Sequence, residues 1–165
     1  MENTVKLRNT AGIYLLNNNK ILLLYRKGSK VVNNTWIASA GGHFEEWELN
    51  DAKACALREM QEELSVTEEM LSDISLRYIT LRRTNGEIRQ NYYFFANLKD
   101  EYLTGLVSDE GDLKWFELSE ISELPMPYSA KYMIEHYLTT GRKNDKVYVG
   151  VADGNGVMFT DLAEY

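Results

Sequence analysis

The sequence predicts one domain over residues 1–165, of the α/β type in its α+β form, in which antiparallel strand pairs dominate. Three observations lead there. Apolar runs of strand length are separated by turn signals at Asn17-Asn18-Asn19, Asn85-Gly86 and Asp153-Gly154-Asn155-Gly156. Two stretches carry apolar residues at helical spacing instead. The chain has 165 residues, 44% of them hydrophobic, which is enough for one real core.

Val5 to Leu16 holds the run Ala11-Gly12-Ile13-Tyr14-Leu15-Leu16 and reads as a strand. The asparagines turn the chain into Ile21-Leu22-Leu23-Leu24-Tyr25, whose unbroken apolarity predicts a strand buried on both faces. Arg26-Lys27-Gly28-Ser29-Lys30 is a basic turn, and Thr35-Trp36-Ile37-Ala38 a short strand leading to the pair Gly41-Gly42. An acidic loop then enters a helix that runs to Leu64, with Asn50 as its expected N-cap and Asp51 in its first turn. Ser65-Val66-Thr67-Glu68 has the form of a capping box for a short turn over residues 68–71. Ser75 to Arg83 and Glu87 to Leu98 read as a hairpin about Asn85-Gly86. Lys114 to Leu118 is a further short strand. Ser129 to Thr140 places Ala130, Met133, Ile134, Tyr137 and Leu138 at helical spacing, with Gly141 as the stop. Val147–Val151 and Val157–Thr160 form the last hairpin.

The chemistry concentrates between Gly41 and Val66. At about 100° per residue, Glu62 and Glu63 fall roughly 60° and 40° on either side of Glu59. Three carboxylates thus share one helical sector, together with the small residues Ala52, Cys55 and Ala56. Leu57, Met60 and Leu64 lie on another side, toward the core. Small residues on the acidic sector allow another backbone to approach, and the glycine pair is the candidate. Like charges at this spacing destabilise a helix by a few tenths of a kcal/mol per pair, which a hard divalent cation would relieve. The plain alternative is a solvated acidic face.

Gly42, Glu48 and the run Arg58-Glu59-Met60-Gln61-Glu62-Glu63-Leu64-Ser65-Val66 resemble the signature of the Nudix hydrolases. The box spans approximately residues 41–66. The chain departs from the pattern in two places: nine residues separate Glu48 from Arg58 where the family has seven, and Ser65 replaces a glycine. Ala40 also stands where many members have proline. The resemblance implies a Nudix fold, a mixed sheet sandwiched between helices. It implies metal ligation by Glu59, Glu62, Glu63 and the Gly41 carbonyl, with Mg²⁺ as cofactor and Mn²⁺ as an option. It gives Arg58 the task of holding the loop to the helix through Glu45, Glu46 or Glu48. It places a base or further ligand in a later acidic loop, where Glu110 is the choice against a solvated turn. Arg26 matches a position that meets substrate phosphates in some members. His43, inside the box loop, is a candidate substrate contact. Within Tyr92-Tyr93-Phe94-Phe95, Tyr92 and Phe94 are the candidate base-stacking pair. His136 and Cys55 are expected to be structural.

The implied reaction is cleavage of a nucleoside diphosphate linked to another moiety. A nucleoside triphosphate, including an oxidised purine, is favoured and would give monophosphate and pyrophosphate. ADP-ribose or a nucleotide sugar, and a non-catalytic nucleotide sensor, are the alternatives. The formal net charge of −7 argues against a nucleic-acid polymer as partner. Cys55 is the single cysteine, so no internal disulfide forms, in keeping with a reducing cytoplasm. Met1-Glu2-Asn3-Thr4 has no signal-peptide character and no apolar run reaches membrane-spanning length, so no membrane partner is expected. The expected partner is a small-molecule nucleotide, with a homodimer left open.

Overall fold

The computed structural model describes residues 5–27 and 34–165. Met1 to Thr4 and, from the expected basic turn, Gly28 to Lys30 lie outside them. The elements follow in the order β1 (Lys6–Asn17), β2 (Lys20–Arg26), β3 (Thr35–Ile37), β4 (Ala40–His43), α1 (Ala52–Leu64), β5 (Leu71–Thr84), β6 (Glu87–Leu98), β7 (Gly111–Glu117), α2 (Tyr128–Thr139), β8 (Tyr148–Asp153) and β9 (Gly156–Asp161). The strands form one mixed sheet in the order β3-β2-β1-β6-β5-β8-β9, with β4 paired to β1 and β7 to β2. Parallel pairs occur at β1–β6 and β5–β8, and the other pairs are antiparallel.

Helices cover the two faces of this sheet. Ile13, Leu15, Leu22, Phe94 and Leu98 pack with Cys55, Ala56, Met60 and Leu64 of α1. Tyr14, Ile21, Leu23, Phe95 and Tyr78 pack with Met133, Ile134 and Tyr137 of α2. Strand alternation separates the two sets, so neighbours such as Leu22 and Leu23 are both fully buried, each beneath a different helix. This is why β2 reads as a continuous apolar run. Each such aliphatic side chain contributes roughly 1.5–3 kcal/mol by leaving water.

Asn18 and Asn85 adopt left-handed backbone (φ 54° and 52°) in the two expected turns, and Gly86 follows at φ 75°. Asparagine tolerates this region because its short side chain bonds locally. The caps differ from expectation. Asp51, not Asn50, caps α1, its Oδ1 accepting from Ala54 N at 3.0 Å. Thr67, not Ser65, precedes the short 3₁₀ turn Glu68–Met70, and its N–H reaches Met70 Sδ at 3.3 Å. Ser65 instead closes α1 in left-handed backbone at φ 55°, its N–H donating to Gln61 O. Thr140 is the residue that ends α2, and Gly141 opens a further 3₁₀ turn.

The glycine pair is a strand rather than a loop. Gly41 and Gly42 belong to β4 and lie opposite Gly12 and Ala11 of β1. Four residues with two glycines carry too little apolar alternation to announce a strand. Register against β1 and contact with α1 fix it instead. Near the other edge, half-turn carbonyls of Gly141, Asn144 and Lys146 converge on the buried guanidinium of Arg77, at 2.5, 2.7 and 3.0 Å. That contact ties the α2–β8 connection to β5 and satisfies an otherwise costly buried charge.

Candidate active site

Helix α1 presses its small residues against β4, as the acidic sector predicted. Cys55 Sγ sits 3.7 Å from the carbonyl oxygens of both Gly42 and His43. A Cβ at Gly42 would come within 2.3 Å of the Glu59 carboxylate. A side chain there would displace that carboxylate, so the glycine keeps open the path by which Glu59 passes the edge of the sheet. One turn on, Glu63 Oε2 accepts from Gly41 N at 3.4 Å. Both carboxylates enter a cavity of about 560 Å³ on the α2 side of the sheet.

Arg58 holds this arrangement. Its Nε and Nη2 meet both oxygens of Glu48, whose side chain is 0% exposed, and Nη2 also donates to His43 O at 3.1 Å. The carboxylate left open between Glu45, Glu46 and Glu48 is thus Glu48. Hydrogen bonding to Arg58 holds the Glu48 carboxyl below its usual range, and raises the arginine in turn. Glu48 lies in a 3₁₀ turn, Glu46–Glu48, and its Oε2 also accepts from Glu45 N. The longer box loop is accommodated by this turn. Arg58 Nη1 reaches Glu59 at 2.9 Å and Glu62 at 3.1 Å, so those carboxylates stand side by side.

Glu62 is nevertheless 60% exposed and does not line the cavity. Among the described residues, no three Asp, Glu, His or Cys side chains converge as a ready-made metal cage. Glu62 lies beside Glu59 on the Arg58 guanidinium, at the rim of the site.

Arg26 and Glu110 complete the acidic end. Arg26 ends β2 and pairs with Gly111 at the start of β7, Glu110 is the turn residue just before it, and the two side chains meet at 3.0 Å. Both line the same cavity as Glu59 and Glu63. The Glu63 carboxyl is pushed up to about 7, first by burial and then by the charges of Glu59 and Glu110. Glu59 is paired with Arg58 and Glu110 with Arg26, but Glu63 between them has no ion pair among the described residues, and that is the electrostatic condition a cation relieves. The donors are all oxygen, which suits a hard cation that keeps several waters and takes few protein ligands. On that ground the residues fit a hydrated divalent ion shared with substrate phosphates.

Other expected residues are placed as follows. His43 lines the cavity, its Nε2 3.1 Å from Arg8 Nη2, and burial with that arginine lowers its pKa. Tyr92 and Phe94 point to the opposite face, into the α1 core, where Tyr92 packs on Phe44 at 5.5 Å. Strand alternation gives the cavity Tyr93 instead, which corrects the stacking pair. Alternation was legible, but the side of the sheet that carries the cavity was not. His136 bonds Tyr78 OH at 2.8 Å beneath α2 and is structural. The Cys55 thiol, pushed up to about 12 by burial and Glu48, is inert packing. Arg8, Arg82, Arg89, Asn91 and Tyr128 also line the cavity and carried no local signal in the sequence.

Glutamates and arginines gathered around one concave space, with Glu63 unpaired among the described residues, define a class of site: one that handles phosphate groups together with a cation. The NUDIX domain model matches residues 6–137, four-fifths of the chain, and the chain belongs to that family. It is a Nudix-type pyrophosphohydrolase, of a family that acts on nucleoside diphosphate derivatives and generally uses divalent metal ions. Solved structures share the fold. A mutator MutT protein from Bacillus halodurans aligns with TM-score 0.63 and 19% identity over 96% of this chain and 99% of its own. The E. coli ORF135 protein aligns with TM-score 0.65 and 19% identity over 86% and 95%. A C. elegans Ap4A hydrolase aligns with TM-score 0.60 and 18% identity over 83% and 99%. No curated relative matches the chain in sequence. Strands β8 and β9 lie beyond the family match and extend the sheet from β5. Among the described residues no helix is long and apolar enough to cross a membrane.

Proposed function

We propose that the chain hydrolyses a nucleoside triphosphate, a purine one by preference and oxidised purines included, to monophosphate and pyrophosphate in the presence of Mg²⁺. Mn²⁺ is the alternative ion. The observation that carries this is the convergence of Glu59, Glu63, Glu110 and Arg26 on one cavity. Glu59 and Glu63 would hold the cation with the Gly41 carbonyl, and Glu62, beside Glu59 on Arg58, is the third carboxylate within reach. When bound, the ion neutralises charge on the transferring group and acidifies water. The protein's own groups do the rest. Arg26 pairs with the phosphate chain. Glu110, 45% exposed and next to Arg26, accepts the proton of the attacking water. Tyr93 offers the wall against which a base can stack. A cytoplasmic setting suits both the nucleotide and the reduced, buried Cys55. The domain extends over residues 1–165 in this reading, and a homodimer is the assembly to look for.

The test is kcat/KM at one fixed Mg²⁺ concentration for normal and oxidised dGTP, dATP, dCTP, ADP-ribose and a UDP-sugar. Purine triphosphates are expected to lead. A tenfold lead for ADP-ribose or the sugar, about 1.4 kcal/mol in the transition state, would overturn the substrate choice but leave the hydrolase intact. Absence of turnover on every compound would favour a nucleotide sensor.

A further inference from the structure

The sheet face under the cavity is organised in cross-strand rows. Thr10 of β1, Asn91 of β6 and Thr80 of β5 are register partners, joined by hydrogen bonds of 2.5 Å (Thr10 to Asn91) and 3.1 Å (Asn91 to Thr80). The next row outward on the same face is Arg8, Arg89 and Arg82: Arg8 lies opposite Arg89, and Arg89 opposite Arg82. All three line the cavity and are half-buried.

Like charges directly opposite on neighbouring strands destabilise a sheet, so this row calls for a compensating anion. The protein supplies little. Arg89 Nε meets Glu87 at 3.3 Å, and among the described residues that is the one carboxylate paired with the row. Arg8 faces the imidazole of His43, which brings no carboxylate to the row. Arg82 is stacked over the Tyr128 ring at 4.8 Å, which fixes the guanidinium without neutralising it. Planar guanidinium forks held in this way match phosphate oxygens.

The row is distinct from the acidic end. Arg8 stands three residues along β1 from Ala11, the partner of Gly42, beside which Glu59 enters. That is on the order of 10 Å, more than the span of one phosphoanhydride link. We propose that Arg8, Arg89 and Arg82 form a second anion subsite, selecting nucleoside diphosphate derivatives that carry a further phosphate remote from the cleaved bond. The orientation of the substrate rests on the hydrolase reading above. The existence of the subsite does not.

Titration calorimetry in chelator-containing buffer separates the two, because no turnover is needed. Two matched pairs serve as probes: ADP-ribose with and without a 2′-phosphate, and guanosine 5′-diphosphate with and without a 3′-diphosphate. At least one pair is expected to show tenfold tighter binding for the more phosphorylated member. That gain should fall below about threefold in Arg82→Gln and in Arg8→Gln. It should persist in Arg83→Gln, which removes the same charge from the opposite face of β5. Equal affinities within both pairs in the wild type, a gain retained in both row variants, or an equal loss in Arg83→Gln would overturn the subsite. Whether the same compounds turn over with Mg²⁺ judges the hydrolase reading separately.

Discussion

Glu59 and Glu63 reach the cavity from successive turns of one helix, whereas Arg8, Arg89 and Arg82 reach it from three different strands. The acidic wall is a product of local sequence. Helical geometry alone puts those carboxylates together, and a glycine strand lets them through. The basic wall is a product of sheet register, which brings Arg8 beside a hairpin pair more than seventy residues further along the chain. The two walls also differ in what balances them. Solvent or a dissolved cation can neutralise the first, while the second is arranged for an anion that arrives with the ligand. A site with one wall of each kind is suited to a ligand that is itself a phosphate complex of a cation.

The largest way to break this contrast is to remove charge from the acidic wall. Glu63→Gln and Glu59→Gln should each lower kcat by orders of magnitude at saturating Mg²⁺, with unchanged circular dichroism, because Gln keeps the shape but not the charge a hard cation needs. Near-wild-type turnover in either would detach the acidic wall from the chemistry.

Next in size is the support behind that wall. Glu48→Ala strips the fully buried partner from Arg58 and should cost about 3 kcal/mol of stability, read from denaturant midpoints. A loss under 1 kcal/mol would mean that the box loop is held by other contacts.

A smaller effect follows from the raised Glu63 carboxyl. In chelator, the folded state binds this proton more tightly than the unfolded chain does. Its contribution to stability is complete below the ordinary glutamate range and is lost as pH rises through about 7. The metal-free melting temperature should therefore fall more between pH 5 and 8 in the wild type than in Glu63→Gln. Parallel pH curves would show that Glu63 is better solvated than its surroundings imply.

The smallest effect lies where α1 ends. Ser65 occupies left-handed backbone at φ 55°, where the family pattern has glycine. Ser65→Gly should stabilise by about 0.5–1 kcal/mol, because glycine enters this region without Cβ strain. An unchanged midpoint would mean that the strain is already relieved locally.

The same contrast explains what could be read from the sequence. Every strand but β4, the hairpins and both helices were legible because their signals are local: apolar runs, Asn-Gly turns, helical spacing. Arg58, Glu59 and Glu63 were legible for the same reason. Glu48 could not be singled out from Glu45 and Glu46, since burial under Arg58 depends on the 3₁₀ turn. Glu62 shares the motif yet turns to Arg58, a choice of rotamer that spacing does not encode. Tyr93, rather than Tyr92 and Phe94, faces the cavity because α1 and α2 divide the two faces of β6, and alternation alone does not say which helix takes which face. The arginine row needed the register of β1, β6 and β5, which appears only when the sheet is assembled.

The most direct measurement is a calorimetric titration of Mg²⁺ into the metal-free protein at pH 8, with and without a non-hydrolysable nucleoside triphosphate analogue. The wild type should bind the ion, bind it more tightly with the analogue present, and lose that binding in the Glu59→Gln/Glu63→Gln double variant. Equal Mg²⁺ affinity in the wild type and the double variant would contradict the assignment of the acidic wall as the place where cation and phosphate meet.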